Sequence, residues 1–377
     1  MRRFQLAGLL CLLVWCARVG VPASRATISA PARPNTVIAH ARAAVSPSCL
    51  NDPTIGSKVW TVAISGTLAF LADGQALTIL DISDRALPVC RSHLALPPAS
   101  SIAAIEVRDN YAYLALNNSS EHDTGLQIVG IQNPDNPVLL GSYQAASANN
   151  LAIVENLVYL PTVNGLYILD VTDPTAPSLQ NTYMAGVVFS SLLVVGDRMY
   201  VHIGGAGFDI LSLADPIHPV RLGGFYEGEI PYYGFDVVGD RAYVIRPNRG
   251  VEVLDVSNPN NPLLIGTYTN IVDGNAQTLS IRVVGNTLYI AGTKFEIYDV
   301  SSSTTAVLLG SYDPPGFGYN MRVVGNSAYL ANADRGSQSG DYGFEIIDLS
   351  NQASPFLRGW FHNGSAGRFF YMPPIRR

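Results

Sequence analysis

LLVVGDRMY (192–200), FDVVGDRAY (235–243), IRVVGNTLY (281–289) and MRVVGNSAY (321–329) are four forms of one nine-residue phrase. In each, an apolar run meets Gly-Asp or Gly-Asn and resumes to end on tyrosine. That is the signature of two strands joined by a two-residue hairpin. The phrase recurs without a gap as VAISGTLAF (62–70), IEVRDNYAY (105–113) and LAIVENLVY (151–159). Its closing aromatics, Phe70, Tyr113, Tyr159, Tyr200, Tyr243, Tyr289 and Tyr329, stand 40 to 46 residues apart. Self-similarity at this period marks a stacked structural repeat.

Each phrase is followed by a third strand: LTILDIS (77–83), LQIVGIQ (126–132), LYILDVT (166–172), FDILSLA (208–214), VEVLDVS (251–257), FEIYDVS (295–301) and FEIIDLS (344–350). In most copies Asn-Pro or Asp-Pro comes next and ends the strand, because proline donates no ladder bond and restricts the residue before it. A fourth strand follows, as in PVLLGSY (137–143) and PLLIGTY (262–268). No stretch carries a helical period. The expected fold is all-β: a single seven-bladed β-propeller of four-stranded antiparallel blades, with repeats over about 59–361 of a domain spanning 49–377. A ring gives every blade two neighbours, whereas an open array needs polar caps, and the last repeat is no more polar than the others. The chain starts at an inner strand and finishes at an outer one, PFLRGWF (355–361), unless 49–58 or 366–373 adds a locking strand.

Before the repeats, Met1 to Ala26 reads as an export signal. Arg2 and Arg3 precede an apolar run from Leu6 to Trp15. That run falls short of the roughly 20 residues of a spanning helix. Residues 27–48 are rich in Ala, Pro and Ser and read as a flexible spacer. Removing the signal takes away four arginines and no acid, leaving 19 basic against 29 acidic residues and a formal charge of −10. With no basic run, a nucleic-acid partner is not expected. No later segment is apolar enough to cross a membrane, so no transmembrane segment is expected after cleavage. Cys49 and Cys90 are the two cysteines beyond the signal, and in an oxidising compartment they form a disulfide. The expected location is secreted, extracellular or on the cell surface (the periplasm in an organism with two membranes).

The runs GLYILDVTDP (165–174) and GVEVLDVSNP (250–259), the second followed by PLLIGTY (262–268), resemble the LVIVD repeat. The resemblance covers about 59–361 and implies a β-propeller in exported or surface proteins, mostly of unassigned activity. Gly130 and Ser212 depart from it where the other five copies have Asp.

Three sets of residues invite a functional reading. The repeated Asp81, Asp170, Asp255, Asp299 and Asp348 suit backbone-capping turns better than a shared cation, since they sit on different blades. At the second position of the nine-residue phrase stand Ala63, Glu106, Ala152, Leu193, Asp236, Arg282 and Arg322. Period-two alternation gathers these near the channel, and Glu106, Asp236, Arg282 and Arg322 form either an inter-blade ion-pair network or a polar site at its mouth. In the loops, Tyr232, Tyr233 and Tyr319 beside Glu229, Arg246 and Arg249 suit a protein or carbohydrate ligand, or else pack loop to loop.

The histidines share no metal-ligand spacing, and Gly-x-Ser-x-Gly, P-loop and His-Glu-x-x-His motifs are missing. No catalytic residue, metal or cofactor is therefore assigned. Glu121-His122-Asp123 is the one acidic loop that could hold a divalent ion, and solvation is the simpler fate for it. The function expected is a non-catalytic binding or interaction module. The alternative is a hydrolase or lyase acting on extracellular polysaccharide, with carboxylates near the channel mouth.

Overall fold

The computed structural model describes Cys49 and residues 58–96, 101–117, 125–204, 207–226, 234–246, 249–271, 280–333 and 343–362. Every described residue lies in the compact unit Ala43–Arg377. Within it run seven sheets, each of four antiparallel strands paired in consecutive order. Blade 1 covers 59–95, blade 2 101–144, blade 3 152–183, blade 4 189–225, blade 5 235–268, blade 6 280–312 and blade 7 317–362. The expected seven-bladed propeller is the fold observed, and among the described residues no blade borrows a strand from another. Residues 50–57 and 366–373, the alternative sources of a locking strand, lie outside the described residues.

The hairpin between the first two strands of each blade turns at the predicted dipeptide. Gly66, Gly196, Gly239, Gly285 and Gly325 take φ of 57–62° there. Blades 2 and 3 place Asp109 (φ 52°) and Glu155 (φ 51°) in the same strained slot.

Closure rests on side-chain burial. Seven apolar clusters fill the seven seams, each shared by two neighbouring blades. The cluster that joins the ends packs Val59, Val62, Leu71 and Leu80 of blade 1 against Tyr329, Phe344, Ile346 and Phe361 of blade 7. Cys49 and Cys90 are buried in that same seam and joined as a disulfide, as expected from the compartment argument. The bond ties the segment preceding the ring to the outer strand of blade 1, beside the joint.

A second device repeats around the ring. In every blade the fourth strand carries a β-bulge against the third. The residue just after the bulge receives the strand 3–strand 4 turn of the next blade. Five blades place glycine there because backbone approaches backbone. A Cβ on Gly141, Gly223, Gly266, Gly310 or Gly359 would collide with a carbonyl oxygen of that turn. For Gly359 of blade 7, the turn is that of blade 1, at Arg85 and Ala86, so the pattern passes across the joint unchanged. The two blades without the glycine use a hydrogen bond instead. Ser92 Oγ donates to Pro134 O at 2.6 Å, and Asn181 Nδ2 donates to Ile217 O at 2.7 Å.

The repeated Asp residues serve these turns. Each accepts the main-chain N–H two residues on: Ser83 to Asp81 (2.9 Å), Thr172 to Asp170 (2.7 Å), Ser257 to Asp255 (2.9 Å), Ser301 to Asp299 (2.8 Å) and Ser350 to Asp348 (2.9 Å). Ser212 does the same for Ala214 at 3.2 Å. The turn role predicted for them is what the structure shows.

Candidate binding site at the channel mouth

First strands of neighbouring blades touch at six of the seven seams, the first strand of blade 7 against that of blade 1 among them. They enclose a cavity of about 380 Å³ to which all seven blades contribute. Its wall is polar: Thr61, Asn149, Asn150, Ser191, Ser280 and Asn320 line it together with Glu106, Arg282 and Arg322.

The four charged residues read from the sequence do come together in pairs. Arg322 Nη2 lies 3.5 Å from Glu106 Oε1, and Arg282 Nη1 lies 3.8 Å from Asp236 Oδ1. The first pair links blade 7 to blade 2, across blade 1. Asp236 is the most enclosed of the four. Its Oδ1 accepts the Val237 N–H (3.0 Å) and its Oδ2 the Val283 N–H (2.7 Å). Burial raises its pKa, against the pull of Arg282 and these two N–H groups. Burial, with the like charge of Arg282, brings Arg322 down to about 10.

Next in sequence to two of the lining residues stands an aromatic pair. Trp60 and Tyr319 meet edge to face with centroids 4.7 Å apart, and Phe317 backs Tyr319 at 5.0 Å. Both are bulge residues, squeezed out between paired neighbours near the start of the first strands of blades 1 and 7. Trp60 remains 36 % exposed and Tyr319 is half-buried. Their next residues in sequence, Thr61 and Asn320, line the cavity itself. Trp60 was not singled out from the sequence. The signal was present nonetheless: Trp60, Tyr233 and Tyr319 each stand two residues before the nine-residue phrase.

Other candidates fare differently. Tyr232, Tyr233 and Glu229 lie outside the described residues, as does Glu121-His122-Asp123. Tyr319 belongs to a strand (Phe317–Val324) rather than a loop. Arg246, expected in a loop, instead ends the strand Arg241–Arg246 and is wholly buried. Glu252 on the neighbouring strand explains the burial, with Oε1 3.5 Å from Arg246 Nε and 3.5 Å from Arg249 Nη1. Arg249 keeps a half-exposed side chain. Arg246 is therefore no part of an open loop surface. Blade 7 holds a similar buried acid: Glu345 accepts from Asn332 at 2.8 Å and from Tyr312 of blade 6 at 3.4 Å. Burial pushes it up to about 7. Among the described residues, no three His, Cys, Asp or Glu side chains are grouped so as to hold a metal ion. No helix among them is long and apolar enough to cross a membrane.

Seven four-stranded blades around a polar channel define a β-propeller repeat protein. The LVIVD repeat model matches residues 56–93, 100–145, 145–185, 235–270, 273–314 and 316–362, and the chain belongs to that repeat family. The unmatched interval holds blade 4, which folds like its neighbours although Ser212 replaces the repeat's Asp. No curated protein matches the chain. Among solved structures it is similar to the computationally designed Ika8 protein (11 % identity, TM-score 0.56, 81 % of this chain and 88 % of that one). It is also similar to the Cps50 (Swd1) β-propeller domain of Myceliophteria thermophila (10 %, TM-score 0.57, 77 % and 96 %). A third is PorZ, a bacterial surface component of the type-IX secretion system of Porphyromonas gingivalis (16 %, TM-score 0.55, 81 % and 38 %). At these identities the likeness is one of fold.

Proposed function

We propose that the protein is an exported, non-catalytic binding module that receives a carbohydrate at the channel mouth. The observation carrying this reading is the Trp60–Tyr319 pair, whose next residues in sequence, Thr61 and Asn320, line a polar cavity. An exposed indole offers a flat apolar face to a pyranose ring, and the asparagine, serine and carboxylate groups of the cavity wall match hydroxyls as donors and acceptors. Export is supported by the apolar N-terminal run and by the Cys49–Cys90 bridge, which suits an oxidising compartment. Residues 1–26 are the signal and 27–48 the spacer in this scheme.

A polysaccharide hydrolase or lyase is less well supported. Such chemistry wants a carboxyl pair poised as acid and base. Here Glu106 and Asp236 each face an arginine, and both Asp236 oxygens already accept main-chain N–H groups. A glycan array probed with the purified protein and with Trp60→Ala tests the proposal. Retention of a glycan set by the parent and its loss in the variant is the expected result. Capture of no glycan, or identical capture by both, would count against it.

A further inference from the structure

The two arginines of the channel are under-used by their partners, in contrast to arginines elsewhere in the ring. At the outer strands, Arg91 reaches Asp135 at 2.6 and 2.7 Å, Arg221 reaches Asp209 at 2.6 Å, and Arg358 reaches Asp348 at 2.8 Å. Those are charge-assisted hydrogen bonds at full strength. The channel pairs stand off at 3.5 and 3.8 Å. Asp236 cannot close that gap cheaply, because its oxygens are held by the Val237 and Val283 N–H groups. Beyond these contacts, Arg282 donates to Ile281 O (3.3 Å), and Arg322 to Asn320 Oδ1 and Met321 O (3.3 Å each). A guanidinium has five N–H donors, so most of those on both residues are left to face the cavity, where the side chains are 28 % and 24 % exposed.

Arg282 and Arg322 come from the neighbouring blades 6 and 7 and line the same cavity. Their mutual repulsion is part of what lowers Arg322. An anion between them would take up idle donors and relieve that repulsion together. Glu106 and the channel asparagines then remain for neutral hydroxyls.

Resting on the carbohydrate reading above, we infer that the channel mouth selects an acidic saccharide, with a uronate carboxylate bridging Arg282 and Arg322 while its ring lies against Trp60. A neutral sugar satisfies the rim and not the arginines. A peptide C-terminus satisfies the arginines and wastes the aromatic face.

The test is calorimetric titration of the full protein with trigalacturonate and with galactotriose, its uncharged counterpart. The acidic sugar is expected to bind at least tenfold more tightly, and more weakly as salt rises, because part of the attraction is screened. Arg322→Gln and Arg282→Gln should each erase most of that preference, weakening trigalacturonate far more than galactotriose. Arg282→Lys should restore part of it, which separates lost charge from misfolding. Trp60→Ala should weaken both sugars alike. Equal affinity for the two sugars would overturn the acidic selectivity and leave carbohydrate binding standing. Binding of neither sugar would overturn both. Tighter binding of a tripeptide with a free carboxylate than of trigalacturonate would overturn the saccharide assignment.

Discussion

Gly359→Ala is the substitution that the architecture forbids most clearly. Gly359 lies in the outer strand of blade 7, and the turn packed on it belongs to blade 1. A methyl group there would strike the Arg85 carbonyl oxygen and stand only 3.1 Å from its carbon and 3.2 Å from the Ala86 carbonyl carbon. These are main-chain atoms, so no rotamer change relieves the clash. The turn has to lift, and with it goes the Arg85 Nη1 bond to Ser327 Oγ across the joint (3.2 Å). Overpacking of a fitted interface costs about 1–3 kcal/mol, and a main-chain obstacle belongs at the upper end, about 3 kcal/mol. Gly66→Ala is the control. It lies at φ +59° with nothing within 4 Å of its added Cβ, so it carries only left-handed strain of about 1–2 kcal/mol. Urea unfolding of both variants gives the comparison. A loss for Gly359→Ala of less than about 0.5 kcal/mol, within the range of neutral surface changes, would refute the claim that blade 1 is seated on blade 7.

Further outcomes follow from other parts of the ring. Replacing Cys49 and Cys90 by serine opens a link between residues 41 apart, which should destabilise the fold by about 4 kcal/mol on the chain-entropy scale, read from the same urea curves. Glu345 binds its proton more tightly folded than unfolded, so the folded state loses stability as pH rises from about 4.5 to about 7. Glu345→Gln should therefore match the parent near pH 4 and exceed it above pH 7, by up to about 3 kcal/mol; a constant difference across that range would contradict the assignment. Glu155→Gly should raise stability by about 1 kcal/mol, because Glu155 occupies a left-handed slot that glycine fills in five other blades.

The blades were legible because each repeat writes its hairpin, its strand end and its tyrosine in the same places. Blade count, strand order and the turn role of the Asp residues all follow from that grammar. The bulges were not legible: the displaced residues are as unlike as Arg91, Leu140, Gln180 and Ile265. A bulge is set by backbone pairing and leaves no residue signature of its own. The same cause hid Trp60, which the first-strand bulge removes from the alternation that identifies inward positions. Arg246 misled because a charged side chain beside Pro-Asn-Arg-Gly reads as loop; its partner Glu252 lies on the next strand, where sequence gives no sign of pairing. The channel charges were found by alternation alone, but their spacing to each other was beyond reach. That spacing separates a saturated ion-pair network from a site with donors to spare.

In the proposed complex, the channel mouth holds an acidic sugar between an indole and two guanidinium groups. A crystal structure of the protein grown with trigalacturonate tests it most directly. A uronate carboxylate within about 3 Å of both Arg282 and Arg322, with a pyranose ring stacked on Trp60, is the expected result. A saccharide bound at the outer strands, with the channel arginines untouched, would contradict it.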